Sequence, residues 1–187
     1  AYNSALALRA GDAAVHRFGG DLFHAQQRLE QAIAAYRRAV EIDPEDAESH
    51  TGLAEIFRQQ ESYEEAISAY REALRLDNRQ LTALLGLGSC YLTTGRYQAA
   101  VQVFERACGL SAHNAAAFCG LGAAQLQLDR TDEAASAFQK ALLVDSRHAG
   151  AYEGLASVLR RQERVDEALE AFQIASDLAP RSPTVLE

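Results

Sequence analysis

Three cysteines, five histidines and one cluster of arginines are the side chains of this sequence best suited to chemistry. Catalysis or metal binding needs such groups in defined company. Cys90, Cys108 and Cys119 form no CxxC pair, so neither a zinc site nor a disulfide framework is indicated. His16, His24, His50, His113 and His148 occur without an HExxH helix or any paired-ligand spacing. No GxSxG elbow and no phosphate-binding glycine loop is present. Cys119 has no His or Asp motif around it, which makes a small hydrophobe its default role. Arg160, Arg161 and Arg164 form the sharpest basic cluster, read either as a solvated helix end or as a contact for an acidic partner. The expectation is a chain that is not an enzyme in its own right, with no catalytic residues, no metal and no cofactor.

Composition narrows the partners. The 187 residues carry a net charge of −8, which argues against nucleic acid or an anionic membrane surface. No apolar run approaches transmembrane length, so membrane insertion is not expected. An odd number of cysteines fits a reducing, cytoplasmic setting. Met is absent, so the sequence is expected to be a fragment or a processed form, and a missing signal peptide is silent about compartment.

The elements come from a repeat. In Tyr63 to Asp77, Ala66, Ile67, Tyr70, Ala73 and Leu74 fall on one face of a 3.6-residue period, with Glu64 and Glu65 in the first turn. The signature Ala66, Tyr70, Ala73 recurs every 34 residues. It appears as Ala32, Tyr36, Ala39, then Ala100, Phe104, Ala107, then Ala134, Phe138, Ala141, then Ala168, Phe172, Ala175. Complete units run over 13–46, 47–80, 81–114, 115–148 and 149–182. Residues 1–12 match the second half of a truncated unit, and 183–187 would open another. Each unit reads as two helices joined by a short polar turn, in 47–80 from about Ala47 to Gln60 and from about Tyr63 to Leu76. Short turns force antiparallel neighbours, so the class is all-α, an α-solenoid of stacked helix hairpins. A further column, Gly52, Gly86, Gly120 and Gly154, reads either as close packing between neighbouring first helices or as a bare groove floor. Gly19 and Gly20 lie inside the first helix, so a looser first hairpin is expected.

The period, the Leu-Gly/Leu-Ala pairs and the Ala…Phe/Tyr…Ala signature resemble the tetratricopeptide repeat family over the whole chain. That resemblance implies a right-handed superhelix whose concave groove is lined by the first helix of each pair. It places Arg17, Thr51, Leu85, Cys119 and Glu153 in one groove column, Asp21, Glu55, Ser89, Ala123 and Ser157 in the next, and His24, Arg58, Leu92, Leu126 and Arg160 in the third. Gln59, Thr93, Gln127 and Arg161 lie beside the last. The middle of this surface (Leu85, Ser89, Leu92, Cys119, Ala123, Leu126) is apolar and small. Its flanks, Glu48, Glu55 and Arg58 on one side and Glu153, Arg160 and Arg161 on the other, are charged. An apolar centre with a polar rim suits a protein or peptide segment. Some family members carry an asparagine ladder or a carboxylate clamp, and neither set is matched here.

Three functions follow as expectations. The first is a non-catalytic interaction scaffold binding a protein or peptide in the groove. The second is an arm of a larger enzyme or export machine, of glycosyltransferase or exopolysaccharide-secretion type, that recruits substrate or bridges subunits. The third is a self-assembling scaffold that associates through apolar faces at the cut ends of the repeats, such as Leu169, Phe172 and Ile174.

Overall fold

The computed structural model describes residues 11–178. The half-repeat over 1–12, apart from Gly11 and Asp12, lies outside the described residues, as do residues 179–182 of the last full unit and the partial unit 183–187. Among the described residues there are ten α-helices and no strand. They are α1 (Ala13–Ala25), α2 (Leu29–Ile42), α3 (Ala47–Gln59), α4 (Tyr63–Leu76), α5 (Leu81–Thr93), α6 (Tyr97–Leu110), α7 (Ala115–Gln127), α8 (Thr131–Val144), α9 (Ala149–Arg161) and α10 (Val165–Leu178).

Local chemistry explains the ends. Asp12, Asn114 and His148 each accept a hydrogen bond from a first-turn backbone N–H, at 3.0, 2.8 and 3.2 Å, and so cap α1, α7 and α9. Asp43, Asp77 and Asp145 follow α2, α4 and α8 in extended backbone, which stops each helix. Their carboxylates then accept from the N–H two residues on, each at 3.0 Å, and turn the chain into the next helix.

The turn inside each hairpin has a conformational cost. Gln27, Glu61, Gly95, Asp129 and Glu163 occupy equivalent places, and all have φ between 58° and 73°. Only Gly95 adopts that left-handed region freely. Glu163→Gly is therefore expected to stabilise the chain by about 0.5–1 kcal/mol, the left-handed penalty less the extra entropy of an unfolded glycine. A lowered urea midpoint for Glu163→Gly would contradict this.

The chain divides into two compact units, 1–94 and 95–187, a division that falls between the two helices of the third repeat. Within the first unit, α1 packs on α2, α2 on α3, α3 on α4 and α4 on α5, while α1 touches α3 and α3 touches α5. Within the second, α6 through α10 pack on their sequence neighbours and α7 touches α9. Each unit is thus a stack of helix pairs in which first helices meet across one layer.

The joint is an aromatic ring between two small residues. Tyr36, Tyr70, Phe104 and Phe138 are at most 3% exposed. A Cβ placed on Gly20 or Gly52 would come within 2.5 or 2.4 Å of the Tyr36 ring. One placed on Gly86 would meet Tyr70 at 2.3 Å, on Gly120 would meet Phe104 at 2.4 Å, and on Gly154 would meet Phe138 at 2.2 Å. The Gly52 column is therefore explained by the ring of the preceding second helix. The atoms nearest each of these glycines belong to that aromatic side chain, while first helices also touch one another within each unit. Gly20 likewise admits Tyr36, and α1 runs unbroken through both glycines.

Phe172 is the exception, 38% exposed, with Val165, Leu169 and Ile174 exposed beside it on α10. The place equivalent to the Gly52 column on α1 is held by Phe18, itself 53% exposed. A second copy of the chain therefore cannot receive Phe172 on α1 by the joint that seats Tyr70 on Gly86.

Candidate functional site

The groove residues expected from the sequence lie on the first helices of both units. In the first unit, Leu85, Ser89 and Leu92 fall at i, i+4 and i+7 of α5 and are all half-buried, with Thr93 exposed at the helix end. Glu55 and Arg58 are half-buried on α3 and bind one another, Arg58 Nη2 donating to Glu55 Oε2 at 2.7 Å. The other Glu55 oxygen accepts from the Tyr70 hydroxyl. Glu55 thus holds both the guanidinium and the ring that forms the joint. Its bond is what chiefly raises the already high pKa of Arg58, and burial, then Glu55, raises that of the Tyr70 phenol.

The same design recurs one hairpin earlier, where the Tyr36 hydroxyl donates to Asp21 at 2.6 Å. Arg17 Nη1 reaches Asp46 at 2.8 Å and Glu48 at 3.0 Å. Asp46, itself buried, also accepts from Ser49 at 2.7 Å. Thr51 donates to Gln80 at 2.5 Å, and His24 shares a 3.3 Å hydrogen bond with Gln59. The polar groups of this face are therefore largely satisfied within the chain. What it leaves unpaired is the Arg58 Nε and the half-buried apolar surface of Leu85 and Leu92.

The second unit differs. Cys119 and Ala123 are half-buried and pack against the core built around Phe138, and Leu126 is buried in that core with little surface of its own. Gln127, Glu153 and Arg160 are exposed. Arg161 donates to the Leu126 carbonyl at 2.9 Å and to Asp129 at 2.5 Å, so it ties α9 to the turn after α7. Arg164 is bound to Glu167 at 2.5 Å. Of the arginine cluster, two members are engaged within the chain.

Burial pushes the thiols of Cys90, Cys108 and Cys119 up to about 11 from an ordinary value of 9.0. Below pH 9 each folded thiol then holds roughly 100-fold less thiolate than its unfolded counterpart. Iodoacetamide labelling at pH 8 is expected to be at least tenfold slower in the folded chain than in urea. Because the unfolded thiols ionise first, stability should fall as pH rises from about 9 to about 11. Equal labelling rates in the two states would contradict the burial argument. Among the described residues, no group of three or more His, Cys, Asp and Glu could hold a metal, and no helix is long and apolar enough to cross a membrane.

A family model for the TPR-type C-terminal domain of cilia and flagella-associated protein 70 matches residues 46–187, and a TPR repeat model matches residues 20–57. The chain belongs to the tetratricopeptide-repeat family. Solved tetratricopeptide-repeat structures agree with the geometry. YrrB, described as a TPR protein with an unusual peptide-binding site, is 25% identical with a TM-score of 0.81, over 97% of this chain and 93% of its own. PilF of Pseudomonas aeruginosa is 24% identical with a TM-score of 0.79, over 91% of this chain and 78% of its own. MamA of Desulfovibrio magneticus RS-1, from residue 41 to its end, is 20% identical with a TM-score of 0.81, over 89% of this chain and 94% of its own. The last two show the shared fold alone. No curated protein matches the chain. Its fold is the scaffold of tetratricopeptide-repeat proteins.

The acidic partners of the tyrosines were missed by sequence reasoning although a signal existed. Where the aromatic column carries a hydroxyl, Tyr36 and Tyr70, the groove column carries an acid, Asp21 and Glu55. Where it is Phe104, Phe138 or Phe172, the groove column carries Ser89, Ala123 or Ser157. Comparing two columns, and not one at a time, would have found it.

Proposed function

We propose that this tetratricopeptide-repeat chain is a non-catalytic scaffold that binds a protein or peptide segment on the face carried by its first helices. The supporting observation is the α5 stripe Leu85, Ser89 and Leu92, half-buried beside Glu55 and Arg58, which pair with each other and leave the Arg58 Nε as the unpartnered polar group. Apolar surface left over once the polar groups are paired is available for burial against a partner. The likeness to YrrB, whose description names a peptide-binding site, supports the same reading.

The test is a displayed-peptide selection followed by titration. The wild type is expected to enrich a peptide consensus, and Leu85→Glu with Leu92→Glu to weaken it at least tenfold with the helical circular dichroism unchanged. Equal binding by the folded double variant would overturn the assignment to this face. Leu126 is unsuitable for such a test, because a charge there would enter the core.

A further inference from the structure

One position breaks the pattern of the first helices. Phe23, Phe57, Tyr91 and Leu159 occupy equivalent places, and in α7 the residue is Gln125. It is 6% exposed. Its Nε2 donates to Glu133 at 3.3 Å, while its Oε1 is buried with no hydrogen-bond partner. A buried amide oxygen without a donor is unfavourable, and every other repeat fills this place with an aromatic or aliphatic side chain. Beside Gln125 lies a pocket of about 420 Å³ between α7 and α8. Apolar Phe118 and Leu121, acidic Asp132 and Glu133, and basic Lys140 all line it. Phe118, Leu121 and Gln125 are spaced three and four apart, so they share a helical face distinct from that of Cys119, Ala123 and Leu126. The pocket is therefore a separate feature from the proposed peptide face.

We propose that this pocket binds the side chain of an arginine supplied by a partner polypeptide. Its walls offer two carboxylates, a demand for several N–H groups at once, and the unpaired Gln125 oxygen lies buried beside them. A guanidinium presents five in a planar fork, and its aliphatic stem covers apolar surface such as Leu121. Phe118 adds an aromatic partner that suits a guanidinium better than an ammonium. Competition from within is limited. Arg130 Nη1 makes only a long ion pair with Glu133, at 3.9 Å, while its Nη2 donates to Gln98 at 3.0 Å. Lys140 opposes a cation, but two carboxylates outnumber it on the wall, and the chain as a whole carries −8.

The test titrates the full chain with N-acetyl-arginine amide and, separately, with the neutral isostere N-acetyl-citrulline amide, watching the Gln125 side-chain amide and Phe118 ring by NMR. Arginine amide is expected to give saturable shifts at both, and citrulline amide to bind at least fivefold more weakly. Glu133→Gln should weaken arginine at least fivefold with an unchanged amide fingerprint elsewhere. Gln125→Leu, the residue type of the fifth repeat, should abolish the shifts at the Phe118 ring. Absence of saturable shifts in the folded wild type, as expected if only water enters the pocket, would overturn the proposal. So would equal binding of citrulline amide, or binding unaffected by Glu133→Gln.

Discussion

Tyr70→Ala is expected to lower the unfolding free energy by roughly 3–5 kcal/mol, the range for truncating a fully buried aromatic. Tyr70 is 0% exposed and sits where α4 meets Gly86 of α5. Removing the ring empties the joint between two helix pairs. The glycine facing it cannot fill the space, because it has no side chain to extend. The same change strips one hydrogen bond from Glu55, which keeps its Arg58 partner and enough solvent to avoid being stranded. The cavity therefore dominates the loss. A urea midpoint within experimental error of wild type would refute this account of the joint.

The second large effect runs against helix propensity. Replacing a mid-helix glycine ordinarily stabilises by close to 1 kcal/mol. At Gly86 the sign should reverse. A Cβ there would lie 2.3 Å from both Cζ and Oη of Tyr70. The ring cannot swing away, since it is enclosed and its hydroxyl is held by Glu55. Gly86→Leu should therefore destabilise by about 3 kcal/mol, the upper end of the usual cost of overpacking. Gly109 supplies the control. It lies in the last turn of α6, and a Cβ built there meets nothing within 4 Å. Gly109→Ala should gain about 0.5–1 kcal/mol. If both substitutions changed the thermal midpoint in the same direction, the steric reading of the glycine column would be wrong.

Both results would bear on function through the same geometry. Glu55 links the joint to the proposed peptide face, because one oxygen holds Tyr70 and the other holds Arg58 beside the α5 stripe. Disturbing the ring should therefore alter the orientation of Arg58 as well as the stacking.

The recurrence of Ala66, Tyr70 and Ala73 every 34 residues by itself determined the helices, their pairing and the family. Each of those properties depends on neighbours that repeat with the chain, so one amphipathic face and one short turn suffice to specify them. The extent of α3 and α4 was legible to within a residue for the same reason. The tertiary structure decided what is not periodic. Arg161 reads as a free cation at a helix end, and only folding brings it to Asp129 and the Leu126 carbonyl of the preceding pair. Leu126 shares a groove column with Leu92, yet the core around Phe138 takes it in. Gln125 looks like an ordinary polar residue until its burial shows an oxygen without a donor. A repeat dictates which backbone places face one another. Which polar side chains then pair depends on both residues that meet, within one repeat for Tyr70 and Glu55 or across two for Arg161 and Asp129, and these vary independently from repeat to repeat.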